Sequence, residues 1–283
     1  MTEFRSTLAW RQVHWVRPIE PDRAVGVLRQ WASDQRSPLI GLEAVADMGG
    51  VSYRLATLPQ AQAHIEAVVR HTLPGTTFTD LPSRPPVQLA MRLKASTRHR
   101  RLRMDEPEAL ARSVLGALNQ VRDGERLVLQ LLLGPRRVPL AIPTHSPSSV
   151  VMPWYQTAWQ GDGGQVDSEK RSALRNKVSD HGFACTLRIG VTAASIGRRR
   201  ALVLGLLAAI RTSEAAGVSL RLKPDQESRL NSAGAPLWWP LRLQVSEALV
   251  LAAWPLGSDD LPGCQRFIRS CCLPHRAQQG GDG

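Results

Sequence analysis

The residues of this 283-residue chain whose types and spacing could do chemistry are arginines, and the chemistry is the holding of phosphate. Arg98-His99-Arg100-Arg101, with Arg103 just beyond, fall between a strand-like and a helix-like segment. Arg136-Arg137 follow a strand-like run, and Arg198-Arg199-Arg200 open a helix. A guanidinium is always charged and donates in a planar fork, so a cluster of them can track a phosphate backbone. Arg98, Arg100, Arg101, Arg103, Arg136 and Arg137 are therefore the candidate nucleic-acid contacts. Cations at a helix start oppose its dipole, so Arg198–Arg200 serve another partner or are simply solvated. Few aromatics interleave with the arginines, which argues against a base-stacking single-strand surface. The net charge of +12 and pI near 10.8 fit salt-sensitive attraction to nucleic acid, and equally a basic surface with no dedicated partner.

Other chemistry finds no support. A P-loop needs G-x-x-x-x-G-K-[ST] between strand and helix, and the chain has none; G-x-G-x-x-G and G-x-S-x-G are missing too. The seven histidines are scattered: His14 in a strand-like run, His64 and His71 two turns apart on one helix, His181 beside Gly182 at a helix end. Cys185 reads as a small buried hydrophobe. Cys264, Cys271, Cys272 and His275 give C-x6-C-C-x2-H, which is not a zinc spacing. No catalytic, cofactor-binding or metal-binding residue is expected, nor a small-molecule substrate; the expectation is a non-enzyme. Bulky aromatics outside periodic elements serve as interface anchors or close satellite cores. Trp154, Trp159, Trp238 and Trp239 are the candidates, among eight tryptophans in all. The longest apolar stretch, Ala201–Ile210, is far short of the ~20 residues a membrane span needs. With no secretory leader pattern and no cysteine framework, the expected location is cytoplasmic.

The elements that must position these residues follow from periodicity. Gln12–Arg17 reads as a strand. Pro21–Ser33 places Ala24, Val27, Leu28 and Trp31 at helical spacing behind an N-terminal proline. Leu39–Asp47 and Val51–Ala56 form a hairpin about Met48-Gly49-Gly50, Pro59–His71 is a helix, and Thr76–Thr79 a last strand. The order β-α-β-β-α-β predicts a ferredoxin-like unit over residues 1–82. Residues 83–86 form a proline-rich linker favouring extended backbone. The plan repeats over 87–224: strand Val87–Ala95, a helix capped by Asp105 and running to Val121, strand Arg126–Leu133, strand Phe183–Thr192, helix Ile196–Glu214 and strand Val218–Lys223. An insertion over 134–181 holds a long loop and the polar helix 167–181. The expected class is thus α+β, two tandem ferredoxin-like units. Residues 225–263 add an apolar strand-like run and a helix capped by Ser246, expected to expose a sticky apolar surface over Leu237–Gly257. Residues 264–283 lack periodicity and read as a disordered or frameshifted tail.

Residues Lys170–Gly263 carry the phrases LRNKVSDHGFACTLRIGV, RRRALVLGLLAAIRTSEAAGVSLRL, WWPLRLQVSEALVLAAWPLG and LPG. This third of the chain resembles the region preceding the motor in actinobacterial conjugative DNA-transfer ATPases, the coupling-protein-like ATPases of type IV secretion. HWVRP near the start is compatible with the same family. The resemblance implies a non-catalytic accessory or assembly region, the first part of such a protein without its motor. Its partners would be DNA, the secretion channel or further copies of the chain, met at the inner face of the membrane. The matching positions are not catalytic in the family, so no catalytic residue is implied. A free-standing basic nucleic-acid-binding module is the second reading.

Overall fold

The computed structural model describes residues 8–81, 84–140, 172–257 and 260–263. They form a mixed α+β protein built on a nine-stranded sheet in which every strand pair is antiparallel. The first half runs β1 (Ala9–His14), α1 (Pro21–Ser33), β2 (Ile40–Asp47), β3 (Gly50–Thr57), α2 (Gln62–Thr72) and β4 (Thr77–Asp80). The second runs β5 (Leu89–Ala95), α3 (Pro107–Leu118), β6 (Arg126–Arg137), α4 (172–178), β7 (Gly182–Thr192), α5 (Ile196–Arg211) and β8 (Leu220–Asp225). α6 (Glu227–Asn231), β9 (Leu241–Gln244) and α7 (Val245–Leu251) complete it.

The strand order is β4-β1-β3-β2-β6-β7-β5-β8, so the two halves meet through β2 and β6 and the order of each half mirrors the other. Ile40–Ala46 pair continuously with Leu133–Leu127, which makes one sheet of two halves rather than beads on a linker. The side chain of Arg84, in the expected linker, is buried. It donates to Glu43 at 3.0 Å and to Asn231 Oδ1 at 2.9 Å, pinning the crossing between the halves.

α1 forms as its sequence dictates. Pro21 occupies the first turn, where its missing N–H costs nothing, and Asp22 faces the positive end of the helix dipole. Ala24, Val27, Leu28 and Trp31 are buried on one stripe; a large apolar side chain so placed contributes about 1.5–3 kcal/mol relative to exposure. The stripes of α1, α3, α5 and α7 and the odd-numbered positions of β6 (Leu127, Leu129, Leu131, Leu133) share one apolar layer. Trp254 lies at its heart, 4.7 Å from the ring of Trp15 and 6.3 Å from that of Trp31.

Because side chains alternate across a strand, the even positions of β6 face the other way. There Leu230 of α6 packs on Val45, Val87, Ala90 and Val128. Beside it lies a buried polar network: Gln130 donates to Glu43 at 2.8 Å, while Arg188 donates to Gln130 at 3.1 Å and to Asp225 at 3.0 Å. Each buried ion has an opposite partner, the condition for tolerating charge away from water.

Several expectations shift. β6 continues through Gly134 and Pro135 to Arg137, because a register slip between Leu133 and Arg136 absorbs the proline. The residue capping α3 is Glu106, with no side-chain cap; Asp105 instead pairs with Arg103. α7 is capped at Gln244, whose backbone N–H donates to the Glu247 carboxylate at 2.7 Å, so Ser246 is not the cap. The expected sticky surface over Leu237–Gly257 is mostly core: Leu241, Leu243 and Val245–Gly257 are buried, apart from a half-buried Ser246, and of its large apolar residues Leu237 and Trp238 stand out at 89% and 83% exposure. Residues 82–83, most of the 134–181 insertion and the 264–283 tail lie outside the described residues.

Candidate nucleic-acid interface

The candidate arginines gather where the sheet divides. Leu89–Arg92 of β5 pair with β7, after which β5 follows β8 alone, as far as Ala95 opposite Leu220. β9 takes the vacated flank of β7, pairing Leu241–Gln244 with Cys185–Gly182. Gly182 permits this approach, since a Cβ there would strike the Leu243 carbonyl oxygen. Between the diverging strands lies a small cleft with an apolar floor that includes Leu93 and Leu220, and with Arg98, Arg100, Arg242 and Lys177 on its walls. A second cleft, sharing Lys177 and Arg242, adds Arg137 and Asp180. Each has room for about one water molecule, far below the few hundred Å³ that a small-molecule site occupies.

Beneath the arginines sits an ion pair. Lys177 Nζ lies 2.6 Å from both oxygens of Glu247, and both residues are buried. Glu247 also accepts the backbone N–H of Leu102 at 2.6 Å and that of Gln244 at 2.7 Å. One carboxylate thus ties the arginine-rich loop, α4 and the start of α7 together. Burial pulls the Lys177 ammonium below its ordinary pKa; Glu247 opposes that, and nearby Arg101 adds to it. The neighbouring Cys185 thiol is pushed well above its usual range, first by burial and then by the charge of Glu247. It is a core residue.

The individual arginines differ in what they are free to do. Arg98 and Arg101 are exposed. Arg100 lies across Gly217 and donates to the Ala216 carbonyl at 3.3 Å. Arg103 forms its ion pair with Asp105 at 3.2 Å, which neutralises it locally. Arg137 sits beside Arg242 and is held below its ordinary pKa, by burial first and then by that neighbour. Arg136 registers with Phe183 and so belongs to the opposite face. The structure therefore places Arg98 and Arg100 on one cleft and Arg137 on the adjoining one, with Arg101 near the Lys177 that both share, while Arg103 and Arg136 line neither. Sequence reasoning missed Lys177 and Arg242. The signal for Arg242 was its alternation with Leu241 and Leu243; Lys177 had none beyond a polar helix. Arg198, at the start of α5, forms a bidentate pair with Glu125 at 2.8 Å and donates to the Gln120 carbonyl.

Trp154 and Trp159 lie outside the described residues. Trp238 is exposed as expected of an anchor. Trp239 is not: its ring covers Gly134, packed against the cluster of Leu8, Ala56, Leu132 and Ala233. Among the described residues no three of His, Cys, Asp and Glu converge as metal ligands, and no helix is long and apolar enough to cross a membrane. No protein-family model and no curated protein matches the chain.

Proposed function

We propose that this chain is a non-catalytic assembly region of a conjugative DNA-transfer ATPase of the type IV secretion class, built on two ferredoxin-like units. The mirrored strand orders, each following β-α-β-β-α-β, support the architecture. The observation that carries the function is how the segment after β9 is held. Gly257 N–H donates to the Ile19 carbonyl at 2.8 Å, Trp254 is buried between Trp15 and Trp31, and the Gly263 carbonyl accepts from Val51 N–H at 2.8 Å. Gly263, the last described residue, is thereby anchored to the β2–β3 hairpin, and such an anchored exit supports the reading of an assembly region. Deleting the coding sequence in its host should lower conjugative transfer of a marked element at least tenfold, with recovery when the full chain is restored. Unchanged transfer overturns the reading.

The basic site favours a second reading, a nucleic-acid-binding module. It predicts DNA binding that weakens steeply with salt and loses slope when Arg98, Arg100 and Arg101 become Ala. An unchanged slope removes those three residues from the interface.

A further inference from the structure

The second face of the sheet carries a block of charge unrelated to the arginine clusters. Arg92 and Lys94 of β5 lie directly opposite Lys223 and Arg221 of β8. Alternation puts all four on the face away from α1, α3, α5 and α7, the face on which α6 packs, since Arg92 also registers with Arg188 and Arg188 with Gln130. Lys94, Arg221 and Lys223 are exposed and Arg92 is half-buried. Residues two apart on a strand are about 6.8 Å apart and adjacent strands about 4.8 Å, so the four cations mark a rectangle comparable to the spacing of neighbouring phosphates on a nucleic-acid strand. Among the described residues none of the four side chains has a hydrogen bond or ion pair. The acid on the same strand, Asp225, is held by Arg188 at 3.0 Å; Glu227, at the start of α6, is the next nearest in sequence.

We infer that this rectangle is a docking surface for the phosphate backbone of duplex DNA, read without regard to sequence. Like charges placed directly opposite one another destabilise a sheet. Two such pairs in succession, with no carboxylate interposed, point to a polyanion that is brought from outside. Protection of an exposed sheet edge would explain the cations on β8, and Lys94 where β5 has left β7, but not Arg92, which is paired on both sides. No aromatic belongs to the rectangle, so it has nothing on which to stack unpaired bases. No large apolar side chain belongs to it either, so it has nothing to insert into a lipid surface. Arg242 and Arg137, registered with Ala184 and Gly182, extend the same face toward the cleft.

The inference deepens the nucleic-acid reading and fails separately from it. Fluorescence anisotropy of a labelled 30-base-pair duplex, titrated with the full chain between 50 and 200 mM NaCl, gives the slope of log K against log salt. Replacing four phosphate contacts (R92Q, K94Q, R221Q, K223Q together) should flatten that slope by about 3.6, making the loss of affinity over this salt range about 150-fold smaller. The variant should melt no lower than the parent, because two repulsive pairs are gone. K94Q alone, at an exposed position, should flatten the slope by about 0.9. An unchanged slope in both variants overturns the proposal. So does a slope lost in R98Q/R100Q/R101Q and kept in the rectangle variant, although the nucleic-acid reading then survives. Binding to phosphatidylserine vesicles without binding to DNA overturns it as well.

Discussion

Removing the carboxylate of Glu247 should cost the protein most of its stability, and removing Lys177 as well should partly rescue it. Glu247 is fully buried and accepts from the Lys177 ammonium, Leu102 N–H and Gln244 N–H. Glu247→Ala leaves an unpaired buried ammonium, costing about 3–5 kcal/mol, and two unmade backbone donors at about 1–3 kcal/mol each. The sum, about 5–11 kcal/mol, is as large as the whole stability of an ordinary domain. Lys177→Met leaves the carboxylate with both backbone donors, which places its cost at the lower end, about 3 kcal/mol. In the double variant the ammonium is gone and only the backbone donors are orphaned. It should therefore be more stable than Glu247→Ala alone by about 3 kcal/mol. Urea unfolding followed by tryptophan fluorescence measures all three against the parent. A double variant no more stable than Glu247→Ala, or a Lys177→Met variant within about 1 kcal/mol of the parent, a difference small beside the cost of breaking a buried pair, would refute the reasoning.

Three further outcomes are expected. Arg198 holds the Glu125 carboxyl below its ordinary pKa through their hydrogen bond, so the stability it contributes is present above the unfolded value of about 4.3 and lost as pH falls through the folded one. The gap in melting temperature between the parent and Arg198→Gln should accordingly narrow between pH 6 and pH 3; a constant gap contradicts it. Gly182→Ala sets a methyl group against the Leu243 carbonyl and should cost about 1–3 kcal/mol by the same urea assay, with loss of amide protection in β9; a neutral substitution shows that β9 does not need this approach. Buried and held as a thiol, Cys185 should react with a thiol reagent only after unfolding, so that parent and Cys185→Ser differ by one labelled thiol in urea and by none in buffer.

What was legible in the sequence was whatever one element decides alone. The bounds of α1 match to the residue, because Pro21 and the apolar positions from Ala24 to Trp31 lie within one helix. The β-α-β-β-α-β order was legible for the same reason. The end of β6 was not: Gly134-Pro135 reads as a break unless the β7 residues that absorb it are known. Nor was the chemistry of position. Arg92 and Lys223 lie opposite one another across 131 residues of chain, and Lys177 meets Glu247 across 70. Clusters adjacent in sequence are visible in it directly, while cations that become neighbours through strand pairing read as ordinary alternation. Trp239 looked like an anchor because its covering surface, Gly134, lies about a hundred residues earlier.

The shared flank of β7 also sets a timetable for synthesis. Residues 188–191 find their partner in β5, made long before β7, but residues 182–185 wait for β9. At translation rates of 5–20 residues per second, the chain between Gly182 and Gln244 takes roughly 3–12 s to emerge. Throughout that interval the nascent protein presents a half-length row of unpaired strand groups bordered by Phe183 and Cys185. On a crowded polysome that row is where neighbouring chains would pair with each other, and the arrival of Leu241–Gln244 is what ends the competition.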